Sequence, residues 1–215
     1  MKRAVFLFLL IAGTARADAL PEVFAHPASV EQLRALLGPA SRALAQAAAV
    51  RGEFRSRKFL HELPQPLTSS GDFLVARGLG LVWHTRAPFD SELTLTPKAL
   101  VQRDAGGAAL RIDAAQLPGL GAVVQVFDAL FALDLQRLAA QFELYGARRD
   151  KGWTLGLKPR AAAMAQRLNA VVIEGVTQPQ QVVLYEAGGD RTELEFSGQT
   201  LLEALPPDAR AQLAP

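Results

Sequence analysis

The stretch SGDFLVARGLGLVWHTRAPFDSELTLTPKALVQRD, residues 70–104, decides the fold that the rest of the chain completes. It consists of short runs of β-type residues separated by turn residues, at the spacing of an antiparallel meander. The runs 73–75 and 81–83 are apolar on successive residues, without the alternation of a sheet that has one face in water. We therefore expect both faces of the sheet to be covered.

Strand-like segments also lie on both sides of this stretch. Glycine-containing turns at 104–107, 150–152 and 187–190 indicate hairpins, because glycine supplies the positive φ that tight turns require. Together with the helices described next, the order of elements predicts an α+β fold: one strongly curved antiparallel sheet with helices against one face. The further predicted strands are residues 52–60, 141–149, 153–158, 170–176, 180–187 and 191–196.

Helical periodicity begins at a capping box. Ser29, followed three residues later by Gln32, marks the start of a helix, and leucines then recur at helical spacing. Gly38-Pro39 should kink or split this helix, because proline has no N–H and clashes with the preceding turn. We expect a helix pair that ends near Val50, and a short alanine-rich helix at 161–168.

The segment LGAVVQVFDALFAL, residues 120–133, is apolar at nearly every position, with only Gln125 and Asp128 interrupting it. It is shorter than the ~20 residues that span a bilayer. A helix that is apolar nearly all round must be buried on most of its sides. The helix and the sheet could simply form a hydrophobic core. Because a curved sheet can also enclose space for a hydrophobic ligand, this segment is alternatively interpreted as a lid helix over such a space.

The N-terminus has the pattern of an export signal. A basic start at residues 2–3 precedes an apolar run at 4–12, and Ala15 and Ala17 are the small residues that a signal peptidase reads. We expect cleavage after Ala17 and a single domain over residues 18–215. The chain contains no cysteine, which excludes an N-terminal lipid anchor and disulfides. A periplasmic location fits these features.

Charge and residue inventory exclude several function classes. Residues 1–17 hold three of the 23 basic residues and none of the 21 acidic ones, so the remaining chain has a net charge of −1 and no nucleic-acid partner is expected. The three histidines are scattered, and no metal-binding spacing, G-x-S-x-G elbow or complete phosphate-binding glycine loop occurs. We predict no enzyme, no catalytic residue, no metal and no cofactor.

The opening stretch resembles the core motif of the periplasmic lipoprotein carrier family, LolA, and its LolB-like receptor relatives. In that motif a G-x-[LF] strand ends in Arg, turns, and returns with an aliphatic-x-Trp and a following Pro. The resemblance extends over residues 29–197 and includes Phe54 in the preceding strand. The matching positions are Gly71, Phe73, Arg77, Leu81, Trp83 and Pro88.

This resemblance implies an unclosed antiparallel barrel whose concave apolar face holds the acyl chains of a lipoprotein, with helices as a lid. It also implies that Arg77 latches the lid by hydrogen bonds to backbone on the helix side, and a guanidinium has five donors for such carbonyls. The expected cavity residues are Phe54, Phe73, Val75, Leu81, Trp83, Leu93 and Leu95. The expected lid residues are Val123, Val126, Phe127, Leu130 and Phe131.

The sequence departs from the family pattern at two places, and these keep alternatives open. Gly78 stands where the family often has Pro, and the tail 201–215 lacks the usual F-x-x-P-x-G strand. The first hypothesis is a monomeric periplasmic carrier of acylated lipoproteins or similar lipidic cargo, served by an inner-membrane donor complex and an outer-membrane acceptor. The alternatives are a carrier of another acylated or polyene-bearing cargo, a non-transporting envelope sensor or scaffold, and, third, a lipid hydrolase.

Overall fold

A computed structural model describes residues 20–107, 109–116 and 120–214, with the side chains of 39, 41, 120–123, 125 and 126 excepted. The expected signal peptide and its cleavage site after Ala17 lie outside the described residues. The same holds for the side chains of Val123 and Val126, two of the expected lid residues.

One antiparallel sheet contains all eleven strands of the described chain. Its strands are β1 (Ala49–Phe59), β2 (Leu67–Ala76), β3 (Gly80–Ala87), β4 (Ser91–Leu95), β5 (Ala99–Asp104), β6 (Ala109–Asp113), β7 (Phe142–Arg149), β8 (Gly152–Pro159), β9 (Leu168–Gly175), β10 (Pro179–Glu186) and β11 (Arg191–Leu202). They lie in the order β6-β5-β4-β3-β2-β1-β11-β10-β9-β8-β7, so β6 and β7 are edges and the sheet is not closed. Residues from strands as far apart as β4 and β8 share one core cluster, which requires the sheet to curve.

Three helices cover the inner face of this sheet. They are α1 (Val30–Gln46), α2 (Leu120–Ala132) and α3 (Leu135–Gln141). Each contributes buried apolar side chains to the same core cluster as the inner-face residues of the strands. The predicted α+β half-barrel with helices over its apolar concave face is thereby confirmed.

The first helix follows its sequence signals closely. The Ser29 Oγ accepts the Gln32 N–H at 3.2 Å, and the Ser29 N–H donates to the Gln32 Oε1 at 2.8 Å, which confirms the capping box. Gly38 has φ +40° and interrupts the helix, as the Gly-Pro pair predicts. The expected end near Val50 is wrong, because Val50 is already paired with Val75 and Leu201 in β1.

The outer face is covered by elements that the sequence did not assign. Helix α5 (Pro207–Gln212) brings Ala209 to a buried cluster that also includes Ala49, Ala76 and Val82 of the sheet. A short 3-10 helix, Glu22–Ala25, packs against a second outer patch on β7 and β9. Consecutive apolar residues in β2 and β3 therefore face two different cores, which explains the missing alternation.

Smaller elements differ from expectation by a few residues. Helix α4 (Ala162–Ala165) is shorter than the predicted 161–168, because β9 already begins at Leu168.

Strand β2 ends at Ala76, so Arg77 begins the turn to β3. Gly78 in that turn has φ +69°, a conformation that the fixed ring of proline cannot adopt, which accounts for the departure from the family pattern.

Gly71 provides a test of the close approach between β2 and β3. A Cβ at this position would overlap the carbonyl oxygen of His84, which is backbone and cannot turn away. We expect Gly71→Ala to lower the free energy of unfolding by about 1–3 kcal/mol, as overpacking does. Gly188→Ala is the control, because its Cβ would meet nothing within 4 Å, and we expect a change within about 0.5 kcal/mol. Equal urea midpoints for the two variants would contradict this register.

Candidate functional site

The seven expected cavity residues lie on one face of the sheet, and we call them the inner wall. Directly opposite residues of antiparallel strands share a face, and the register pairs Phe73 with Trp83 and Trp83 with Leu93. Val75, Leu81 and Leu95 form a second such row. Five of the seven are buried, whereas Trp83 and Leu93 are partly exposed. Their role as ligand contacts stays a prediction. The inner wall comprises Phe54, Phe73, Val75, Leu81, Trp83, Leu93 and Leu95.

An aromatic cluster joins the inner wall to α2. The rings of Phe54 and Trp83 are stacked with centroids 3.9 Å apart. Phe131 of α2 lies 5.5 Å from Phe73 and 5.5 Å from Phe196, centroid to centroid, and Phe73 lies 5.1 Å from Phe196. Each such pair contributes ~0.5–1.5 kcal/mol beyond its buried area. The aromatic cluster is therefore an apolar seam between sheet and helix.

Phe196 was missed by the sequence reasoning. It is buried and directly opposite Phe54 on the neighbouring strand. The signal was present in the alternation of RTELEF, residues 191–196, where Leu194 and Phe196 share a face. The pairing of β1 with β11 could not be predicted from the sequence, because these two strands are far apart along the chain.

Helix α2 meets the core through three of its expected lid residues. Phe127, Leu130 and Phe131 are partly buried and pack against the inner core cluster. Val124 and Ala129 of the same helix are more deeply buried and were not predicted as lid residues. The helix is thus held by apolar contacts on more than one side, as its composition requires.

Arg77 contacts the C-terminal turn of α1. Its guanidinium donates to the carbonyl oxygens of Leu44 and Ala45, and its backbone N–H donates to the carbonyl of Ala48 at 3.0 Å. The last carbonyls of a helix have no partner within the helix, and a positive charge is favourable there. Arg77 therefore ties the β2–β3 turn to α1.

Asp128 ties the same turn to α2. Its Oδ1 accepts the backbone N–H of Gly78 at 3.2 Å, and its Oδ2 accepts from Arg137 of α3 at 2.6 Å. Asp128 is buried, so both oxygens depend on these partners. From the sequence alone, Asp128 was expected only to interrupt an apolar helix. In the structure Asp128 joins the β2–β3 turn, α2 and α3 beside the Arg77 contact, and we call this set of contacts the clasp.

Shifted pKa values occur outside the inner wall. Hydrogen bonds from the backbone and side chain of His61 lower the pKa of Asp190 in the β10–β11 turn. Burial, followed by a hydrogen bond to Glu143, raises the pKa of Tyr145 on the outer face. The chemistry that the inner wall itself offers is apolar contact.

The described part of the chain contains neither a metal-binding cluster nor a membrane-spanning helix. Its His, Asp and Glu side chains form no group of three that could hold a metal ion. None of its helices combines the length and the apolar character needed to cross a membrane.

The clasp formed by Asp128 can be tested by its stability contribution. We expect Asp128→Ala to lower the free energy of unfolding by about 1–3 kcal/mol, because the Gly78 N–H and Arg137 lose their acceptor. Asp128→Asn keeps an acceptor for Gly78 and should cost less, since the Arg137 side chain is 43% exposed and its ion pair is screened. Asp113→Ala removes an ion pair whose partners are both more than half exposed and should change stability by under about 0.5 kcal/mol. Urea unfolding of the three variants decides, and equal losses in Asp128→Ala and Asp113→Ala would exclude a clasp.

The solved structures that match this chain do so at low sequence identity and low TM-score. LolA superfamily protein NE2245 from Nitrosomonas europaea is 12% identical, with 81% of this chain and 95% of that chain covered and a TM-score of 0.44. A chain of the Pseudomonas aeruginosa MucA/MucB complex is 16% identical over 84% of this chain and 60% of that chain, with a TM-score of 0.44. LprF from Mycobacterium bovis is 12% identical over 84% and 99% of the two chains, with a TM-score of 0.38.

Comparison with family models gives a match over most of the sequence. No curated protein matches the chain. The model of the family described as "Outer membrane lipoprotein carrier protein LolA-like" matches residues 25–195, which confirms the resemblance read from residues 70–104. That family consists of lipid- or lipoprotein-binding proteins of the bacterial envelope. This chain belongs to the LolA-like family of outer membrane lipoprotein carrier proteins.

Proposed function

We propose that this chain is a periplasmic carrier that buries the acyl chains of lipoproteins, or of a similar lipidic cargo, between its inner wall and α2. Its family supports a binding or carrier role in the envelope and not an enzymatic one. The proposed path of the cargo runs from an inner-membrane donor to an outer-membrane acceptor. The lid latch of this carrier is Arg77, which acts on α2 through α1, the helix that it contacts and that packs against α2.

The observation that carries the proposal is the position of Phe131. This side chain projects from α2 into the aromatic cluster, where Phe73 and Phe196 surround it. An acyl chain that replaced Phe131 would meet the same apolar surfaces. Displacement of Phe131 would lose the burial of its side chain, roughly 1.5–3 kcal/mol, and two ring contacts of ~0.5–1.5 kcal/mol each. Burial of each CH₂ contributes ~0.8 kcal/mol, so an acyl chain with about eight or more buried methylenes outweighs this loss.

The polar contacts at the β2–β3 turn set how readily the lid moves. Arg77 ties this turn to α1 and Asp128 ties it to α2. Each hydrogen bond of this kind contributes a net ~1 kcal/mol, or somewhat more when a charged group takes part. The closed arrangement is therefore favoured by an amount that cargo binding can overcome, as a carrier needs for both loading and release.

A second candidate is an envelope sensor or scaffold that does not transport lipid. The aromatic cluster favours it, because the protein's own side chains fill this part of the interior. Such a protein would keep α2 closed and bind partners through another surface. The two candidates differ in whether an acyl chain ever displaces Phe131.

Native mass spectrometry separates the two candidates. The protein is isolated from periplasm without detergent, its native mass is recorded, and lipids are then extracted under denaturing conditions. For a carrier we expect co-purified acylated peptide or lipid, or uptake after incubation with purified lipoproteins. An apo mass that stays unchanged after this incubation would support the sensor or scaffold.

Replacement of Arg77 tests the latch. Arg77→Leu removes the ties to Leu44 and Ala45, which destabilises the closed, empty arrangement and thereby favours the loaded one. Loss of ~1–3 kcal/mol from the closed state corresponds to about 5- to 150-fold stronger cargo retention.

Retention is measured as the equilibrium dissociation constant for lipopeptide, because the free energy of the empty state enters the binding equilibrium directly. Arg111→Leu is the control, because Arg111 is an exposed arginine at the edge strand, paired only with Asp113 among the described residues. If Arg77→Leu and Arg111→Leu retain cargo equally, Arg77 is not a latch.

A further inference from the structure

A pocket of about 340 Å³ lies on the solvent side of the helices, next to the contacts of Arg77. It is bounded by α1, the β2–β3 turn and the junction between α2 and α3. Four guanidinium groups and two carboxylates line it, so its net charge is positive. These charged residues are Arg34, Arg42, Arg77, Arg137, Asp128 and Asp134.

Both carboxylates of this basic pocket are already engaged within the protein. Asp128 accepts from Gly78 and Arg137. Asp134 accepts the backbone N–H of Arg137 at 3.2 Å and thereby caps the start of α3. Each carboxylate therefore already has a partner within the protein, and the four guanidinium groups outnumber the two carboxylates.

Arg34 and Arg42 are the two arginines of the pocket that remain for a ligand. Both are exposed, and within the described residues no carboxylate forms an ion pair with either of them. The pKa of Glu31 is lowered mainly by a backbone hydrogen bond and by a hydrogen bond from Ser29. The charge of Arg34 contributes to this lowering only as a smaller, longer-range effect. Gly38, at the kink between the two arginines, also lines the pocket and leaves open space where a Cβ would stand.

A second, small pocket adjoins the basic pocket. It has a volume of about 20 Å³ and shares Arg77, Asp128 and Ala132 with the basic pocket. Phe131 of α2 and Val75 of the inner wall also line it. A polar group in the basic pocket is therefore close to the place where the proposed function puts an acyl chain.

We propose that the basic pocket binds a phosphate-class oxyanion through Arg34 and Arg42, and that this oxyanion is the headgroup of an anionic lipid whose chain reaches the inner wall. A guanidinium presents a planar fork of donors that matches phosphate oxygens, and two such forks suit a group with one or two negative charges. The identity of the oxyanion rests on the pocket alone. Its attachment to a lipid rests on the proposed function.

Binding of inorganic phosphate tests the pocket without any lipid. Isothermal titration of the intact protein with inorganic phosphate at low salt is compared for wild type, Arg34→Gln/Arg42→Gln and Arg103→Gln/Arg111→Gln. The second double variant makes the same change in net charge at exposed arginines outside the pocket. We expect the pocket variant to bind phosphate at least tenfold more weakly than wild type, and the control to stay within about twofold. Equal affinities of the two double variants, or no binding by wild type, would overturn the site.

A short-chain phosphatidic acid, kept below its micelle concentration, tests the source of the oxyanion. If the pocket holds a lipid headgroup, this lipid binds wild type at least tenfold more tightly than phosphate does, and the gain is lost in Arg34→Gln/Arg42→Gln. An affinity equal to that of phosphate would overturn the lipid assignment and leave a site for the free anion. Because the phosphate titration requires no acyl cargo, failure of the carrier proposal and failure of the pocket give different results.

Discussion

The inner face of the open sheet must be kept from water, and its burial beneath α1, α2 and α3 holds the other elements in place. A closed barrel protects its interior with its own strands, whereas here β6 and β7 remain edges. The chain has no cysteine, so no disulfide can hold sheet and helices together. Apolar contact between the two layers has to supply the cohesion.

This contact is not uniform along the interior. On the side of β7, β8 and β9, Phe142, Leu155 and Leu157 are completely buried. On the side of α2, Val124 and Ala129 are buried, but the larger side chains Phe127, Leu130 and Phe131 are only partly buried. Segments with less burial open at lower free energy than fully packed ones. Movement of α2 therefore leaves the better-packed half of the molecule intact, which suits a lid.

Polar contacts fix the position of the helices on this apolar seam. In the β2–β3 turn, the backbone N–H of Gly78 donates to Asp128 of α2, and the guanidinium of Arg77 donates to carbonyl oxygens of α1. One turn of the sheet therefore positions two helices. The basic pocket lies against this same turn. A ligand with both an anionic group and an apolar chain would contact the turn and the inner wall together, and would thereby favour a particular position of α2.

The sequence alone determined the local features, because they depend on neighbours within a few residues. The capping box at Ser29, the interruption at Gly38, the hairpin turns and the apolar helix at 120–133 all follow from short-range chemistry. The motif in residues 70–104 was enough to indicate the family. The two-residue repeat of side-chain direction in a strand also placed the expected wall residues within each of β2 and β3 on one face.

Tertiary structure decided what depends on long-range pairing. Phe196 joined the aromatic cluster only because β11 pairs with β1, and Asp128 became a clasp only because α2 crosses the turn at Gly78. The tail could not be assigned from its residues, since the use of α5 depends on an outer patch built from Ala49, Ala76 and Val82. Arg34 and Arg42 stand on an ordinary polar helix face, and only the packing of α3 and the β2–β3 turn beside α1 makes them part of one pocket. Local chemistry fixes which way a side chain points along its own strand or helix, and only the packed fold fixes what that side chain meets.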